Sequence, residues 1–461
     1  MFKKVLIANR GEIALRIIQA CKELGIETVT VHSTEDKDQL HVKLADYSYC
    51  VGPAKATESY LNIPSIVTVA VESGCDALHP GYGFLSENPE FVAVLEDLGI
   101  KFIGPSAKTI MDMGDKSKAR DLMIANGVPV VPGSDGEVET IEEAKEIAAK
   151  IGYPVLIKAS RGGGGKGMRR VFEEENLEEG FFSAKQEAGA AFGHDGVYIE
   201  KLIIDPKHIE FQILRDSYGN TVHLGERHCS IQRRNQKLIE ESPAKGMTSE
   251  LREAIGTAAI NAAIASEYEN AGTVEFVLDR DNNFYFIEMN TRLQVEHPVT
   301  EMVTGIDIVK EQFRIAAGLK LSMTQEEVRF DGHSIEVRVN SENPVQNFMP
   351  SIGSIDFLFV PGGFNTRFDT YLYNGATISP YYDSMLGKII VKGSSRLDAI
   401  RKMRRAIEET IISGIETNLA YQYTILHINE FIRGDYDTGF VPKYHEEIID
   451  WINRIEVTDE R

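Results

Sequence analysis

The sequence predicts an α/β protein made of three successive blocks. The first is a doubly wound parallel-sheet domain, the second is an α+β unit with antiparallel hairpins, and the third is a C-terminal α+β block. Up to about residue 115, short apolar runs alternate with amphipathic helical stretches. Strand-like runs then follow one another closely around an alanine-rich helix, and the third block opens with an alternating strand. Alternating strands and helices favour a parallel sheet, whereas successive strands favour hairpins.

The first block begins with a buried strand and a helix. An apolar run at Lys3–Ala8 ends in a turn-like Asn-Arg-Gly. From Gly11, apolar residues recur at four-residue spacing as Ile13, Ile17 and Cys21. That spacing predicts a helix. Further strands are predicted at Thr28–Ser33, Asp76–His79 and Lys101–Ile103.

The second block mixes helices with closely spaced strands. Its predicted helices are Asp115–Ala125, Thr140–Lys150 and Glu250–Tyr268. Its predicted strands are Tyr153–Ala159, Val197–Ile203, His208–Leu214, Thr221–Gly225, Thr273–Leu278 and Phe284–Met289. Short strands in succession favour antiparallel pairing.

The third block opens with a strand in which apolar and polar residues alternate. Ile335, Val337 and Val339 alternate with Glu336, Arg338 and Asn340. Alternation of this kind predicts a half-buried strand. A later amphipathic helix is predicted from Arg396 to Ile412, with Leu397, Ile400, Met403, Ile407 and Ile411 on its buried face.

Composition excludes several classes of protein. Among the 461 residues, 70 are acidic and 49 are basic, which gives a formal charge of −21. Proteins that coat nucleic acid or anionic membrane need a basic surface, so neither partner is expected. No apolar run approaches the ~18 residues needed to span a bilayer. The four cysteines are scattered, which is typical of a reducing compartment, and a cytoplasmic location is expected.

The glycine run Gly162–Gly165 is the strongest local motif. Consecutive glycines leave backbone N–H groups free to approach an anion, and Lys158 and Lys166 add positive charge. The expected ligand is a polyphosphate. Gly167 stands where a Walker A motif needs Ser or Thr, and no GxGxxG follows the first strand. A flexible surface linker is the alternative interpretation.

Acidic and amide side chains form a second candidate site. Strict alternation along Phe284–Asn290 places Phe284, Phe286, Glu288 and Asn290 on one face. Glu275 lies on the preceding strand of a predicted hairpin. Oxygen ligands converging from two strands suit Mg²⁺, and a solvated polar face is the alternative.

Two further clusters carry charge. In the loop Asn290–Pro298, Arg292 is suited to clamp a small planar oxyanion and Glu296 to act as a base, whereas the alternative is a surface salt bridge. The basic segment Arg227–Lys237 fits a phosphate or carboxylate pocket. An RNA-binding patch is less favoured there because no aromatic residues interleave. His208 lies on a neighbouring strand with Glu210 and Gln212 on the same face.

Taken together, these motifs resemble the biotin carboxylases of the ATP-grasp superfamily along nearly the whole chain. The segments that carry the resemblance are KVLIANRGEIALRII, HPGYGFLSEN, FIGP, GDKSKAR, IKASRGGGGKGM, YIEK, CSIQRRNQK, FIEMNTRLQVEHPVTE and PYYDSMLGK. The resemblance implies an N-terminal domain at 1–114, an ATP-grasp domain at 115–331 with a mobile lid at about 130–203, a C-terminal domain at 332–445 and a tail at 446–461. Many members have His where this chain has Asn235, so the nucleotide contact of that His is not carried over to Asn235.

The resemblance also implies roles for individual residues. ATP is expected to contact Lys116, Lys158, Gly164, Gly165, Met168, Glu200, Lys201, Leu202, Ile203, His208, Gln232, Glu275 and Glu288. Bicarbonate is expected at Lys237, Arg292, Gln294, Val295 and Arg338, and biotin at Tyr82, Gln294 and Arg338. The metal ligands are Glu275, Glu288 and Asn290, and the catalytic residues are Arg292, Glu296, Arg338 and Lys237.

The implied activity is ATP-dependent carboxylation of biotin, with Mg²⁺ or Mn²⁺, by way of carboxyphosphate. No Met-Lys-Met attachment motif occurs, so biotin is expected on a separate carrier protein or biotinylated subunit. A carboxyltransferase subunit and a homodimer are further expected partners. The final acceptor stays open among acetyl-CoA, which is favoured, pyruvate and propionyl-CoA. Two alternatives remain: another ATP-grasp ligase, and a nucleotide-binding regulatory module without catalysis.

Overall fold

The computed structural model describes residues 1–160 and 167–459, with the backbone alone for 455–459. The first block contains β1 (Lys4–Ile7), α1 (Gly11–Glu23), β2 (Glu27–Ser33), α2 (Leu40–Leu44), β3 (Tyr47–Gly52), α3 (Ile63–Glu72), β4 (Ala77–His79), α4 (Pro89–Asp97), β5 (Lys101–Phe102) and α5 (Ala107–Gly114). Its five strands form one sheet in the order β3-β2-β1-β4-β5, and every neighbouring pair is parallel. The predicted parallel sheet is confirmed.

The second block contains two antiparallel sheets. Its elements are α6 (Lys116–Ala125), α7 (Ile141–Ile151), β6 (Val155–Ala159), β7 (Met168–Val171), α8 (Leu177–Phe192), β8 (Val197–Lys201), β9 (Lys207–Arg215), β10 (Thr221–Arg233), β11 (Gln236–Ser242), α9 (Ser249–Ala265), β12 (Asn270–Leu278), β13 (Phe284–Asn290), α10 (His297–Thr304) and α11 (Ile308–Ala316). The small sheet β7-β6-β8 packs with α7 and α8 around its own apolar core.

The third block contains β14 (His333–Asn340), β15 (Glu342–Asn343), β16 (Met349–Pro350), β17 (Gly353–Ser354), β18 (Phe357–Phe359), β19 (Thr366–Thr370), β20 (Thr377–Ile378), β21 (Met385–Gly393), α12 (Arg396–Glu409), β22 (Ile411–Ser413), α13 (Leu419–Ile425), α14 (Asn429–Arg433) and α15 (Phe440–Asp459). Single 3₁₀ turns occur at Ala56–Glu58, Glu174–Asn176, Gln325–Glu327 and Pro344–Gln346.

The large sheet joins the second and third blocks. Its order is β13-β12-β9-β10-β11-β14-β21-β19, and its neighbouring pairs are antiparallel. Backbone pairing between β11 and β14 therefore crosses the boundary that the sequence places near residue 331. Helix α15 likewise runs through the boundary placed at residue 445.

Three details differ from the sequence-based predictions. The strand predicted at Thr221–Gly225 extends as β10 to Arg233 because its outer half pairs with β11. Glu336 is fully buried, so β14 is not half-buried, since helices α10 and α12 both pack against the strand. In α12, Leu397 is 45% exposed although it was predicted on the buried face. Ile411 is also exposed, because α12 ends at Glu409 and Ile411 begins β22.

The described helices were compared with the length and composition of a membrane-spanning helix. None of them combines the length and apolar composition that crossing a bilayer requires.

Candidate active site

One large cleft gathers the residues that carry chemistry. It has a volume of about 1500 Å³ and lies between the N-terminal block, the small sheet, the large sheet and the third block. It is lined by all the sequence-predicted site residues that the structure describes: Tyr82, Lys116, Lys158, Met168, Glu200, Lys201, Leu202, Ile203, His208, Gln232, Lys237, Glu275, Glu288, Asn290, Arg292, Gln294, Val295, Glu296 and Arg338. Gly164 and Gly165 lie outside the described residues, as does the rest of the glycine run.

The acidic ligands lie opposite each other on one hairpin. Glu275 on β12 pairs directly with Glu288 on β13, and Thr273 pairs with Asn290. Directly opposed residues of an antiparallel pair share a face, so both carboxylates point into the cleft. The predicted strict alternation is wrong, however. A bulge between the pairs Glu275–Glu288 and Phe276–Phe286 places Phe286 in the apolar core with Met289, while Ile287 and Glu288 line the cleft.

Glu275 is the more enclosed of the two carboxylates. It accepts hydrogen bonds from His208 Nε2 at 2.9 Å, Lys237 Nζ at 3.1 Å and Asn290 Nδ2 at 2.9 Å. Burial alone would raise the pKa of Glu275, but Lys237 and His208 outweigh it and hold the pKa well below its usual value. Glu275 is therefore an anion held ready for a cation.

The donor set fits Mg²⁺. Two carboxylates and an amide oxygen are hard ligands, and Glu288 is still partly exposed toward the cleft, with Lys116 Nζ 3.0 Å from its Oε2. A second cluster of His208, Glu210 and Glu275 has ligand atoms within 4.8 Å of one another. Glu275 belongs to both groups, and what separates them is Glu210, which is fully buried and already paired with Lys237 and Arg227.

Glu296 lies fully buried between two cations. Its Oε1 is 2.6 Å from Lys237 Nζ, and its Oε2 is 2.8 Å from Arg338 Nη2. Burial would raise the pKa of this carboxyl, but Lys237, Arg338 and Arg227 hold it well below its usual range. The three groups come from β11, β14 and the loop before α10, so tertiary packing assembles this arrangement.

Arg292 and Arg338 are each fixed by neighbours that leave the guanidinium facing the cleft. Arg292 Nε donates to Glu87 at 2.9 Å, and its Nη2 lies 3.2 Å from Asn290 Oδ1. Arg338 Nε donates to the fully buried Glu240 at 2.6 Å. Burial is the largest cause that raises the pKa of Glu240 to about 7; the negative charge of Glu296 adds to it, whereas Arg338 opposes it. Two positive planar groups therefore face the same part of the cleft.

The opposite end of the cleft suits a nucleotide. Lys116 is the first residue of α6, and Lys158 on β6 forms an ion pair with Glu200 on β8. The Lys201 ammonium points away from the cleft and donates to the backbone oxygens of Gly152 and Tyr153 at 2.9 and 2.8 Å. The 200–203 segment is therefore held firmly against the turn before β6. Apolar side chains on the cleft wall supply a surface for a flat base: Val131, Leu156, Met168, Val277 and Ile287.

The basic segment Arg227–Lys237 does not form one pocket. Arg227 is fully buried and donates to Glu210, Gln212, Thr273 and Thr300 at 2.5 to 3.0 Å. Arg233 lies over the ring of Phe348. The cleft receives Gln232, Arg234, Asn235, Gln236 and Lys237. The part of this segment that faces the cleft is therefore the end of β10, the following turn and the start of β11.

Sequence reasoning missed Glu87, Glu240 and Lys388 as supporting residues, and it placed Glu210 beside His208 without finding its contact with Lys237. Glu87 holds Arg292, Glu240 holds Arg338, Glu210 holds Lys237, and Lys388 donates to the backbone oxygen of Val295 at 2.7 Å. Alternation around Glu210 and Arg338 was the available signal, because it places Glu210 beside His208 and Glu336 beside Arg338 on one face. It could not reveal which charges would meet.

Three family models match the chain in order. Residues 1–110 match the biotin carboxylase N-terminal domain, 115–324 the ATP-binding domain of the carbamoyl-phosphate synthase L chain, and 336–443 the biotin carboxylase C-terminal domain. Biotin carboxylase 1 of Bacillus subtilis is 55% identical over 96% of this chain and 99% of its own length.

Solved biotin carboxylase structures are also similar to this chain. The biotin carboxylase of Campylobacter jejuni in a β-γ-ATP complex has a TM-score of 0.94 at 49% identity, covering 96% of this chain and 99% of that one. The biotin carboxylase domain dimer of the 2-oxoglutarate carboxylase of Hydrogenobacter thermophilus, with MgADP, ADP and bicarbonate, has a TM-score of 0.93 at 50% identity. That match covers 97% of this chain and 99% of the other.

Proposed function

Because the chain belongs to the biotin carboxylase family, we propose that its cleft carboxylates biotin with ATP and bicarbonate. The observation that carries the proposal is the placement of Glu296. It is a fully buried carboxylate clamped by Lys237 and Arg338, in the same cleft as the opposed pair Glu275 and Glu288. That arrangement combines a base, an anion-binding group and a metal-nucleotide site in one chamber.

The proposed residue roles are those that the family resemblance implies, and the gathering of these residues in one cleft supports them. ATP lies along Lys116, Lys158, Met168, Glu200, Lys201, Leu202, Ile203, His208 and Gln232, with Gly164 and Gly165 from the lid. Glu275, Glu288 and Asn290 hold Mg²⁺, which when bound screens the phosphate charges and polarises the γ-phosphoryl group. Manganese suits the same oxygen donors.

Bicarbonate enters between Lys237, Arg292, Gln294, Val295 and Arg338. Its negative charge then shares the cations that hold Glu296, so the pKa of this carboxyl rises and it becomes a better base. Glu296 takes the bicarbonate proton, and the freed oxygen attacks the γ-phosphorus while the bond to ADP breaks. The products are ADP and carboxyphosphate.

The second half-reaction uses the products of the first. Carboxyphosphate splits into carbon dioxide and phosphate, and phosphate takes the N1 proton of biotin. The ureido oxygen gains negative charge, which the fixed guanidinium of Arg338 stabilises, and N1 attacks carbon dioxide. Tyr82 and Gln294 form the sides of the biotin subsite.

Domain limits and partners complete the proposal. We place the domains at 1–114, 115–331 with a lid at about 130–203, and 332–445, followed by 446–461; the matched family segments support these limits. The dimer reported for the Hydrogenobacter domain supports a homodimer here. Biotin is carried by a separate carrier protein, a carboxyltransferase subunit uses the carboxybiotin, and a cytoplasmic location is testable by cell fractionation.

The direct test measures bicarbonate-dependent ATP hydrolysis with and without free biotin. We expect biotin to stimulate hydrolysis, and radiolabelled bicarbonate to appear in carboxybiotin. A rate of ATP hydrolysis that does not change when biotin is added would favour another ATP-grasp ligase. ATP binding without any turnover would favour a regulatory module.

A further inference from the structure

Lys388 lies completely buried in the sheet beneath the base loop. On β21 it stands directly opposite Arg338 of β14, and its side chain has no exposed surface. Its Nζ donates to the backbone oxygen of Val295 at 2.7 Å and lies 3.1 Å from Glu12 Oε1. A fully buried lysine is rare and requires partners of this kind.

The surroundings keep Lys388 charged. Burial lowers the pKa of this ammonium, but Glu12, Glu336 and Asp369 outweigh burial and raise it above its usual value. Asp369 is already bonded to Arg367 at 2.6 Å. Both carboxylate oxygens of Glu336 are buried without a hydrogen-bond partner among the described residues. The carboxyl groups around Lys388 therefore favour its charged form.

The contact with Val295 orients the base. The peptide unit that joins Val295 to Glu296 is planar, so fixing its oxygen fixes the plane from which the Glu296 backbone departs. Lys237 and Arg338 hold the far end of the same residue. Lys388 thus holds the backbone of Glu296 through Val295, while Lys237 and Arg338 hold its carboxylate.

Lys388 is also connected, through Glu12, to Tyr82 on the proposed biotin side of the cleft. Glu12, in the first turn of α1, accepts hydrogen bonds on the same oxygen from Lys388 and from the hydroxyl of Tyr82. The Lys388 ammonium is 6.0 Å from the centre of the Tyr82 ring. One buried cation is therefore linked both to the loop of Glu296 and to the wall formed by Tyr82.

We propose that Lys388 is a positioning residue that, with Glu12, holds the base loop and the Tyr82 wall in one fixed relation. Bicarbonate activation and carboxyl transfer to biotin are thereby coupled across the cleft. This inference rests on the proposed function and deepens it, because neither residue contacts a reacting atom.

The test compares Lys388→Met with Lys392→Met. Methionine is close to lysine in shape but removes the charge and its donors. Lys392 lies on the same strand and forms an ion pair with the exposed Asp331, away from the cleft. For each folded variant the assays measure the Kd of MgATP, the kcat of bicarbonate-dependent hydrolysis, and the carboxybiotin formed per ADP.

For Lys388→Met we expect a Kd for MgATP within threefold of the unaltered chain, a kcat at least tenfold lower, and a lower yield of carboxybiotin per ADP. Lys392→Met should match the unaltered chain in all three. A lysine that only stabilised the fold would reduce the amount of folded protein and leave the yield per ADP unchanged. An unchanged kcat and yield in Lys388→Met would overturn the proposal.

Glu12→Gln gives an independent variant if Lys388→Met does not fold. It weakens the link to Tyr82 but leaves the Lys388–Val295 contact, so the yield of carboxybiotin per ADP should fall more than the rate of hydrolysis. An unchanged yield in Glu12→Gln contradicts the coupling. If the unaltered chain makes no carboxybiotin, the proposed function fails instead. The hydrolysis rate of Lys388→Met then still tests whether the Lys388–Val295 contact positions Glu296.

Discussion

Glu296→Gln is the most informative single change in the cleft. The amide keeps the size and shape of the side chain but cannot take a proton. In the structure Glu296 lies 2.6 Å from Lys237 Nζ and 2.8 Å from Arg338 Nη2. Lys237 keeps Glu210 and Glu275 as partners, and Arg338 keeps Glu240. Each cation is therefore still paired, and the fold should tolerate the change.

The expected loss follows from the role of a general base. Such a group contributes about 10²- to 10⁴-fold in rate. At roughly 1.4 kcal/mol per tenfold, this corresponds to about 3 to 6 kcal/mol of transition-state stabilisation. Bicarbonate-dependent ATP hydrolysis should fall by that factor. The KM for bicarbonate should not rise, because removing a negative charge beside an anion site does not weaken anion binding.

The assay is ADP release at saturating MgATP with varied bicarbonate, together with the Kd of MgATP from calorimetry. Glu301→Gln is the matched control. Glu301 is also buried between two arginines, at 2.9 Å from Arg16 and 2.7 Å from Arg367, but it lies outside the cleft. Its rate per folded molecule should stay within threefold of the unaltered chain. A Glu296→Gln rate within threefold would refute the assignment of Glu296 as the base.

Three other predictions test neighbouring groups. Arg338→Met should abolish carboxybiotin formation while the Kd of MgATP stays within threefold. Carboxybiotin formation near the normal rate would show that Arg338 does not stabilise the negative charge on the ureido oxygen of biotin. Glu288→Gln should raise the Mg²⁺ concentration needed for half-maximal hydrolysis at least tenfold, and an unchanged requirement would exclude Glu288 as a ligand. Glu240 has its pKa raised from 4.5 to about 7, so the folded state binds the extra proton. The free energy of unfolding should therefore fall as pH rises from about 4.5 to about 7, and Glu240→Gln should flatten that fall in urea titrations; an identical slope would show that this carboxyl does not contribute.

Much of the fold could be predicted because its signals are local. Alternating apolar runs and helices before residue 115 predicted the parallel sheet of the first block, but neither its strand order nor β3. The sequence could not show that β14, β21 and β19 extend the sheet of the second block, because strand neighbours are chosen by packing. The bulge between Glu275 and Phe276 also went unpredicted, since it changes which residues face the core without any change in composition.

The candidate site was predictable in its members but not in its pairings. Motif residues such as Lys237, Glu275 and Arg338 could be named from the chain, and the cleft gathers them. Arg227 belongs to the same basic segment, yet it serves as a buried support for Glu210. Residue type alone could not separate the roles of Arg227 and Lys237, because both are basic residues of one short segment that spans β10 and β11.

The sequence by itself determined the chemical groups, the order of the elements and the family to which the chain is similar. Only the tertiary structure decided which charges meet: Lys237 with Glu296, Arg338 with Glu240, and Lys388 with Glu12 and Val295. The physical reason is that the state of a buried charge depends on distances of a few ångströms and on exclusion of water. Both are set when strands far apart in the chain come to lie side by side.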